Sequence, residues 1–225
     1  MVGGMCFSIE ADIVTGVVVT VVGIDAIRHV GHNRETAMAA LPVIFGFHQL
    51  IEVFVWKGLD SRASAAVAQG AAWLYLVIAF GLIPWLVPYA VRRLETDRAR
   101  RRVMYWLTGL GVVVATALTV PIIFGPISVA DGGYHLTYST SLVLGGFLAV
   151  LYVVATCGAL ILSSDRVVAV YGWMNLVVVA TLAVLLTSGI VSLWCVWAAV
   201  TSIAIAVHLR RLHGSGQGAV AFAGA

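Results

Sequence analysis

The chain has 225 residues, of which 61% are hydrophobic and 10% are charged, and its mean hydropathy is +1.03. Soluble globular domains are about 45–50% apolar and about 25% charged. A water-soluble body of this size cannot bury so much apolar surface, so lipid must be the solvent for much of it. The net charge of +3 is no sign of nucleic-acid binding. The partner that the composition predicts is the lipid bilayer.

Seven apolar runs are long enough to cross a membrane, which takes about 20 helical residues. They cover 10–28, 36–56, 68–90, 103–124, 138–162, 167–187 and 190–208, with the longest loops at 91–102 and 125–139. The sequence therefore predicts an all-α, polytopic integral membrane protein of seven transmembrane helices. We expect an extracytoplasmic N-terminus (1–9), a seven-helix domain (10–209) and a disordered cytoplasmic tail (210–225).

The basic residues predict the orientation, because positive charge in short loops stays in the cytoplasm. They alternate loop by loop between the two sides. One side carries Arg28, Arg34, Arg92, Arg93, Arg98, Arg100, Arg101, Arg102, Arg166, Arg210 and Arg211, and the other carries Lys57 and Arg62. The N-terminus is therefore predicted outside and the C-terminus in the cytoplasm. A single lysine beside twelve arginines is typical of a GC-rich bacterial genome, so we expect a multi-pass protein of a bacterial plasma membrane.

The second predicted helix contains ionisable residues at membrane depth. His48 and Glu52 are one turn apart on one face, Trp56 extends that face, and Gln49 lies beside it. A charge at the bilayer centre costs at least about 2.5–3.5 kcal/mol, so such residues face the bundle interior and are usually functional. This group is predicted in the outer half of the bundle.

Three interpretations of His48 and Glu52 remain open. They form a hydrogen-bonded pair that locks helices together, or a site for a divalent metal ion, or a catalytic acid–base or proton-relay pair. A metal would need further ligands from the same side of the membrane. The candidates are Cys6, Glu10 and His135, with Asp131 in support four residues before His135.

Polar residues elsewhere have simpler interpretations. Asp25 is predicted to pair with Arg28 or His29 at the inner end of the first helix, near His32. Asn175 is predicted to link two helices. The arginine-rich loop 91–102 suits anionic lipid headgroups, but the positive-inside rule explains it without a ligand.

The segments MCFSIEA at 5–11 and HQLIEVFVW at 48–56 resemble a family of small, uncharacterised bacterial membrane proteins, found mainly in actinobacteria. Its members tend to begin with Met-Cys-Phe-Ser and carry a His-Gln-x-x-Glu segment in the second helix. The resemblance implies membership but no activity. Residues 1–4 are additional to that pattern, so translation starts at Met1 or at Met5. A start at Met5 would expose Cys6 after removal of the methionine.

Known seven-helix classes are disfavoured by the residues they require. A retinal protein needs a lysine in the last helix, and the lysine here is Lys57. A His-x-x-x-His zinc hydrolase site in the last helix would need more than His208. Three functions are left: a membrane-embedded metal or acid–base site, a small transporter or proton pathway, and a non-catalytic subunit or scaffold. The sequence does not decide whether the chain is an enzyme, or whether it has a protein partner or forms homo-oligomers.

Overall fold

The computed structural model describes residues 9–131, 136–140, 144–185 and 190–214. In these ranges the chain forms seven helices and one β-hairpin. The helices are α1 (Ile9–Arg28), α2 (Thr36–Leu59), α3 (Ala65–Leu94), α4 (Arg98–Phe124), α5 (Gly145–Ile161), α6 (Arg166–Leu185) and α7 (Ile190–Gly214). The hairpin consists of β1 (Ile127–Asp131) and β2 (Leu136–Thr140), antiparallel, with Ile127 opposite Thr140 and Asp131 opposite Leu136.

Helix α2 packs against α1, α3 and α7. Glycines bring α1 and α2 into close contact. A Cβ atom on Gly16 would meet Leu50, and one on Gly23 would meet the backbone at Val43. Because the partner number falls as the glycine number rises, the two helices run antiparallel. One face of α2 is therefore enclosed by protein along its length.

Helix α3 contains a π-helical turn at Val77–Leu82, directly before Pro84. The N–H of Ile83 bonds to the carbonyl of Ile78, and Pro84 has no N–H, so the Ala79 carbonyl lacks a donor in its own helix. The hydroxyl of Tyr152 in α5 donates to it at 2.9 Å. The structure shows a π turn stabilised by a neighbouring helix, an arrangement that is frequent at functional sites.

Within the described residues, five helices are long and apolar enough to span a membrane: Thr36–Leu59, Ala65–Leu94, Arg98–Phe124, Arg166–Leu185 and Leu193–Arg211. Large apolar side chains cover the outside of the bundle, including Phe124, Trp106 and Val177, whose exposed fractions are 84%, 70% and 61%. Such continuous apolar surface marks an interaction with lipid or protein. The fold is all-helical apart from the hairpin, and it is compatible with a multi-pass membrane protein.

Two expectations about the chain after α4 need correction. The loop predicted at 125–139 contains the hairpin, and the helix predicted at 138–162 begins only at Gly145. The segment Leu136–Thr140 is rich in threonine and tyrosine, which favour an extended, half-buried strand over a helix. At the other end of the chain α7 continues to Gly214. The predicted turn at Ser188–Gly189 and most of the predicted tail lie outside the described residues.

We call the two ends of the bundle the hairpin end and the arginine end. The hairpin end holds the start of α1, the end of α2 and β1–β2, whereas the arginine end holds the junction of α3 with α4 and the last turns of α7. At the arginine end, Asp25 bonds with His29, as predicted, and also with Arg210 at 2.6 Å. His208 contacts the Asp165 carboxylate at 2.7 Å.

The Asp165 carboxylate also accepts the N–H groups of Val167 and Val168 at the start of α6. Burial raises the pKa of Asp165, but the hydrogen bond and charge of His208 and these N–H groups outweigh burial and hold that pKa below its usual range. Between α6 and α7, the Trp194 indole donates to Asn175 at 3.3 Å. Asn175 therefore links α6 to α7, which confirms that prediction.

Candidate functional site

The polar face of α2 is sealed inside the bundle. The exposed fractions of His48, Gln49 and Glu52 are 1%, 0% and 0%. Apolar Phe47 and Phe54 occupy the opposite face of the same helix and are 52% and 46% exposed. This division follows from the helical period, which places the three polar residues on one side of α2 and the two phenylalanines on the other. The prediction that His48 and Glu52 are buried in the bundle is confirmed.

The imidazole of His48 is held by Tyr75 of α3 in two ways. Its Nε2 atom lies 3.0 Å from the Tyr75 carbonyl oxygen. A carbonyl only accepts hydrogen bonds, so Nε2 carries the proton and, in a neutral ring, Nδ1 has a free lone pair. The two rings also stack, with centroids 3.8 Å apart and planes 24° apart. Among the described residues Nδ1 has no hydrogen-bond partner.

A third ring extends this stack toward the hairpin. Tyr138 of β2 packs on Tyr75 with centroids 4.9 Å apart and planes 13° apart, and its hydroxyl donates to Oε1 of Glu52 in a long hydrogen bond of 3.5 Å. Burial raises the pKa of Tyr138 well above its usual range, and the charge of Glu52 raises it further. Tyr138 therefore stays protonated and acts as a donor to the carboxyl group.

Apolar contacts fix the hairpin over this end of the site. Leu136, 1% exposed, packs in one cluster with Val55 and Ala72, and Val129 lies against the same cluster. These contacts bring β1 and β2 onto the last turns of α2 and the first turns of α3. The position of Tyr138 over Glu52 is therefore set by the hydrophobic face of the hairpin.

Two further polar side chains belong to the site. The thiol of Cys195 in α7 lies beside the hydroxyl of Tyr75. The carboxylate of Asp12 in α1 is 3% exposed and accepts a hydrogen bond from the indole of Trp56. Trp56 was predicted to extend the polar face of α2, and the structure gives it a partner on the neighbouring helix. Four elements besides α2, namely α1, α3, α7 and β2, thus contribute to the site.

The amide of Gln49 is buried without a protein partner. Neither its nitrogen nor its oxygen has a hydrogen-bond partner within the residues that the structure describes. More than nine in ten buried polar groups are bonded to protein or to water, so an exception calls for an explanation such as an internal water. One turn of α2 thus presents a donor and an acceptor at Gln49 and a second acceptor at His48.

The predicted metal ligands are not brought together in the described part of the chain. Glu10 is exposed at the start of α1, and Asp131 is exposed at the end of β1. Cys6 and His135 lie outside the described residues. Among the described residues no group of three or more His, Cys, Asp or Glu side chains has the arrangement of a metal site. His48 and Glu52 alone do not make one, since two ligands are too few.

Sequence reasoning found the α2 residues but missed their partners. Asp12 had a usable signal, since a carboxylate inside an apolar run is costly unless it is buried and bonded. Tyr75 and Cys195 had none, because a tyrosine and a lone cysteine are ordinary in an apolar helix. Tyr138 had none either, since a tyrosine near a membrane surface is common. Only the packing of α3, α7 and the hairpin around α2 reveals these three.

Fold and site together define the class: an all-helical protein, compatible with a multi-pass membrane protein, with a sealed polar site on α2. The chain belongs to the family of unknown function DUF6629, which it matches over residues 5–219. This confirms the predicted membership of an uncharacterised family. No curated protein and no solved structure matches the chain.

Proposed function

We propose that the chain crosses a bacterial plasma membrane seven times, with its N-terminus outside and its C-terminus in the cytoplasm. Five spans follow from length and hydropathy, and α1 and α5 supply the other two. The outward face of α1 carries Val14, Val17 and Val21, which are 48–62% exposed. That of α5 carries Phe147 and Val150, each 60% exposed. Such faces suit lipid. The orientation rests on the eleven arginines that share one side.

We propose further that the buried site at the hairpin end is an acid–base site in which Glu52 gains and loses a proton. The observation that carries this assignment is a carboxyl and an imidazole one turn apart, both fully buried, around one tyrosine stack. Tyr138 donates to the carboxyl, and Tyr75 fixes the ring of His48 with Nδ1 left as the acceptor. The two side chains are thus oriented for distinct roles in proton transfer.

A purely structural role explains these residues less well. Interhelical polar contacts in membranes contribute about 0.6 kcal/mol on average. Burying a carboxylate costs several kcal/mol unless it is protonated or well paired. Gln49, a neutral side chain beside Glu52, shows that an uncharged polar residue fits this part of α2. An ionisable residue is therefore a poor choice for helix packing alone.

Infrared difference spectroscopy of the purified protein between acid and neutral pH tests this assignment. We expect a carboxyl C=O band from buried, protonated Glu52 that disappears as the pH rises. The band should be absent in Glu52→Gln and displaced in Tyr138→Phe, which removes the hydroxyl donor. The matched control is Glu10→Gln, which alters an exposed carboxyl in α1 and should leave the band in place. A spectrum that is the same in the wild type and in folded Glu52→Gln would refute the assignment.

A proton pathway through the bundle is a second candidate, favoured by one internal cavity. Its volume is about 40 Å³, enough to hold a water molecule, and its lining includes Cys195, Tyr152 and Asn175. Cys195 lies beside Tyr75, so the cavity continues the site toward the arginine end. Proteoliposomes containing a pH-sensitive dye would detect a proton flux, and the flux should be lost in Glu52→Gln. Vesicles with wild-type protein and no flux above empty vesicles would exclude the pathway.

A further inference from the structure

Six arginines converge on one cleft at the arginine end of the bundle. The cleft has a volume of about 620 Å³. Its lining consists of Arg34 from the loop before α2, Arg92 and Arg93 from the end of α3, and Arg98, Arg101, Arg102 and Tyr105 from the start of α4. The α4 residues follow the spacing i, i+3, i+4 and i+7, so they share one helical face. The run RARRR thus presents three of its four arginines to a single space.

The remaining arginine of that run shows that the convergence is specific. Arg100 points to the other side of α4, where its Nη1 atom donates to the carbonyl oxygens of Leu162 and Ser163 at 2.9 and 3.3 Å. It thereby caps the end of α5. Of the four arginines in this short segment, three therefore line the cleft and one makes a structural contact.

Two carboxylates near the cleft, those of Glu95 and Asp97, are engaged by other groups. Glu95 accepts hydrogen bonds from the backbone of Thr96 and Asp97 and from Ser164. Asp97 caps α4 by accepting the N–H of Arg100 at 2.8 Å. Of the ion pairs between described residues, none involves Arg92, Arg93, Arg98, Arg101 or Arg102.

Two arginines of the cleft are held in place by uncharged partners. Arg92 lies over the rings of Tyr89 and Tyr105, 5.5 and 5.6 Å from their centroids. Arg93 donates to the carbonyl oxygen of Asn33 at 3.3 Å. These contacts orient the guanidinium groups without cancelling their charge. The positive-inside rule accounts for arginines at this end, but not for the convergence of six on one cleft, five of which form no ion pair between described residues.

We infer that this cleft binds a phosphate-bearing anion, presented by the headgroup of an anionic phospholipid. Guanidinium groups bind phosphate oxygens through paired hydrogen bonds. The membrane is favoured as the source because Trp106 and Val103, next to the cleft residues on α4, are 70% and 44% exposed. Such side chains sit at the headgroup level and along the acyl chains. This site is separate from His48 and Glu52.

Native mass spectrometry of the detergent-purified protein tests the inference, with phosphatidylglycerol and phosphatidylcholine offered in turn and inorganic phosphate as a competitor. We expect retention of phosphatidylglycerol in preference to phosphatidylcholine. The double variant Arg98→Gln/Arg101→Gln should weaken that retention by about 30-fold, from about fivefold for each arginine near a lipid surface. In Arg98→Lys/Arg101→Lys, which keeps the charge but not the paired geometry, the loss should be smaller.

The matched control is Arg28→Gln/Arg166→Gln, which removes the same charge from the same end of the bundle outside the cleft. It should weaken phosphatidylglycerol retention less than the cleft variant does, because it removes charge near the lipid surface but no paired contact. Equal losses in the cleft variant and in this control would overturn the inference in favour of diffuse attraction. Equal retention of phosphatidylglycerol and phosphatidylcholine would also overturn the inference. Displacement of the lipid by millimolar phosphate would identify a soluble phosphate ligand and overturn the lipid source. Thermal unfolding of each variant separates loss of binding from loss of fold.

Discussion

At the hairpin end, three polar side chains of α2 are sealed from both lipid and water, whereas at the arginine end a cleft lined by six arginines is open. Tyrosine rings contact the polar groups at both ends. At the first, Tyr75 and Tyr138 stack on His48 and reach Glu52. At the second, the Arg92 guanidinium lies over the rings of Tyr89 and Tyr105.

The difference follows from the solvent at each end. Inside the bundle bulk water does not reach a polar group, so the group must find a partner or lose its charge. At the end of the bundle water solvates guanidinium groups, so arginines need no carboxylate beside them. This difference agrees with the two proposals, which are transfer of a proton at the hairpin end and binding of an anion at the arginine end. Three further predictions test this contrast, in order of decreasing effect.

Tyr75→Ala should be strongly destabilising, because Tyr75 is 0% exposed and its ring lies between His48 and Tyr138. Removing a buried aromatic ring costs about 3–5 kcal/mol. Thermal unfolding in detergent would measure the change. Tyr105→Ala at the arginine end is the control, and we expect a loss of at most about 1 kcal/mol, since Tyr105 is 57% exposed and contributes a cation–π contact. Equal losses of stability in the two variants would contradict the proposed difference between the two ends.

Gly111→Ala should lower stability by about 1–3 kcal/mol, as expected for overpacking. Gly111 lies midway along α4, where a Cβ atom would meet the backbone of Pro84 and Trp85 in α3. This close approach packs α4 directly against α3. Gly109, two residues earlier, has open space around it, so Gly109→Ala should leave stability unchanged or raise it by up to about 1 kcal/mol. Comparing the unfolding temperatures of the two variants tests the prediction.

Asp165→Asn at the arginine end should cost up to about 1 kcal/mol, the usual effect of losing a partly exposed ion pair, because asparagine can still cap the helix. Because the pKa of Asp165 is lowered in the folded state, its contribution to stability is complete above the unfolded pKa of about 4. It disappears as the pH falls through the folded pKa. Unfolding measured from neutral to acid pH should therefore show the variant converging on the wild type at low pH. A constant gap at all pH values would contradict this.

Parts of this architecture can be read from local pattern. His48 and Glu52 were predicted as a buried pair because an ionisable face within an apolar helix is costly unless it is enclosed. The pairing of Asp25 with His29 followed from their spacing of one turn. The hairpin was missed because a short strand next to an apolar helix gives no clear period, although its threonines and its tyrosine favour a strand.

The sequence by itself determined that lipid surrounds much of the chain and which face of α2 is polar. Both follow from hydropathy and the helical period, which depend on neighbouring residues. The sequence thereby determined that α2 hides a carboxyl and an imidazole. Only the tertiary structure decided which groups meet them. Tyr75, Tyr138 and Cys195 are 23 or more positions away from Glu52 along the chain, and their approach depends on how α3, α7 and the hairpin pack together. The same is true of the arginine cleft, since whether guanidinium groups converge or scatter is set by the angle between helices and not by their count.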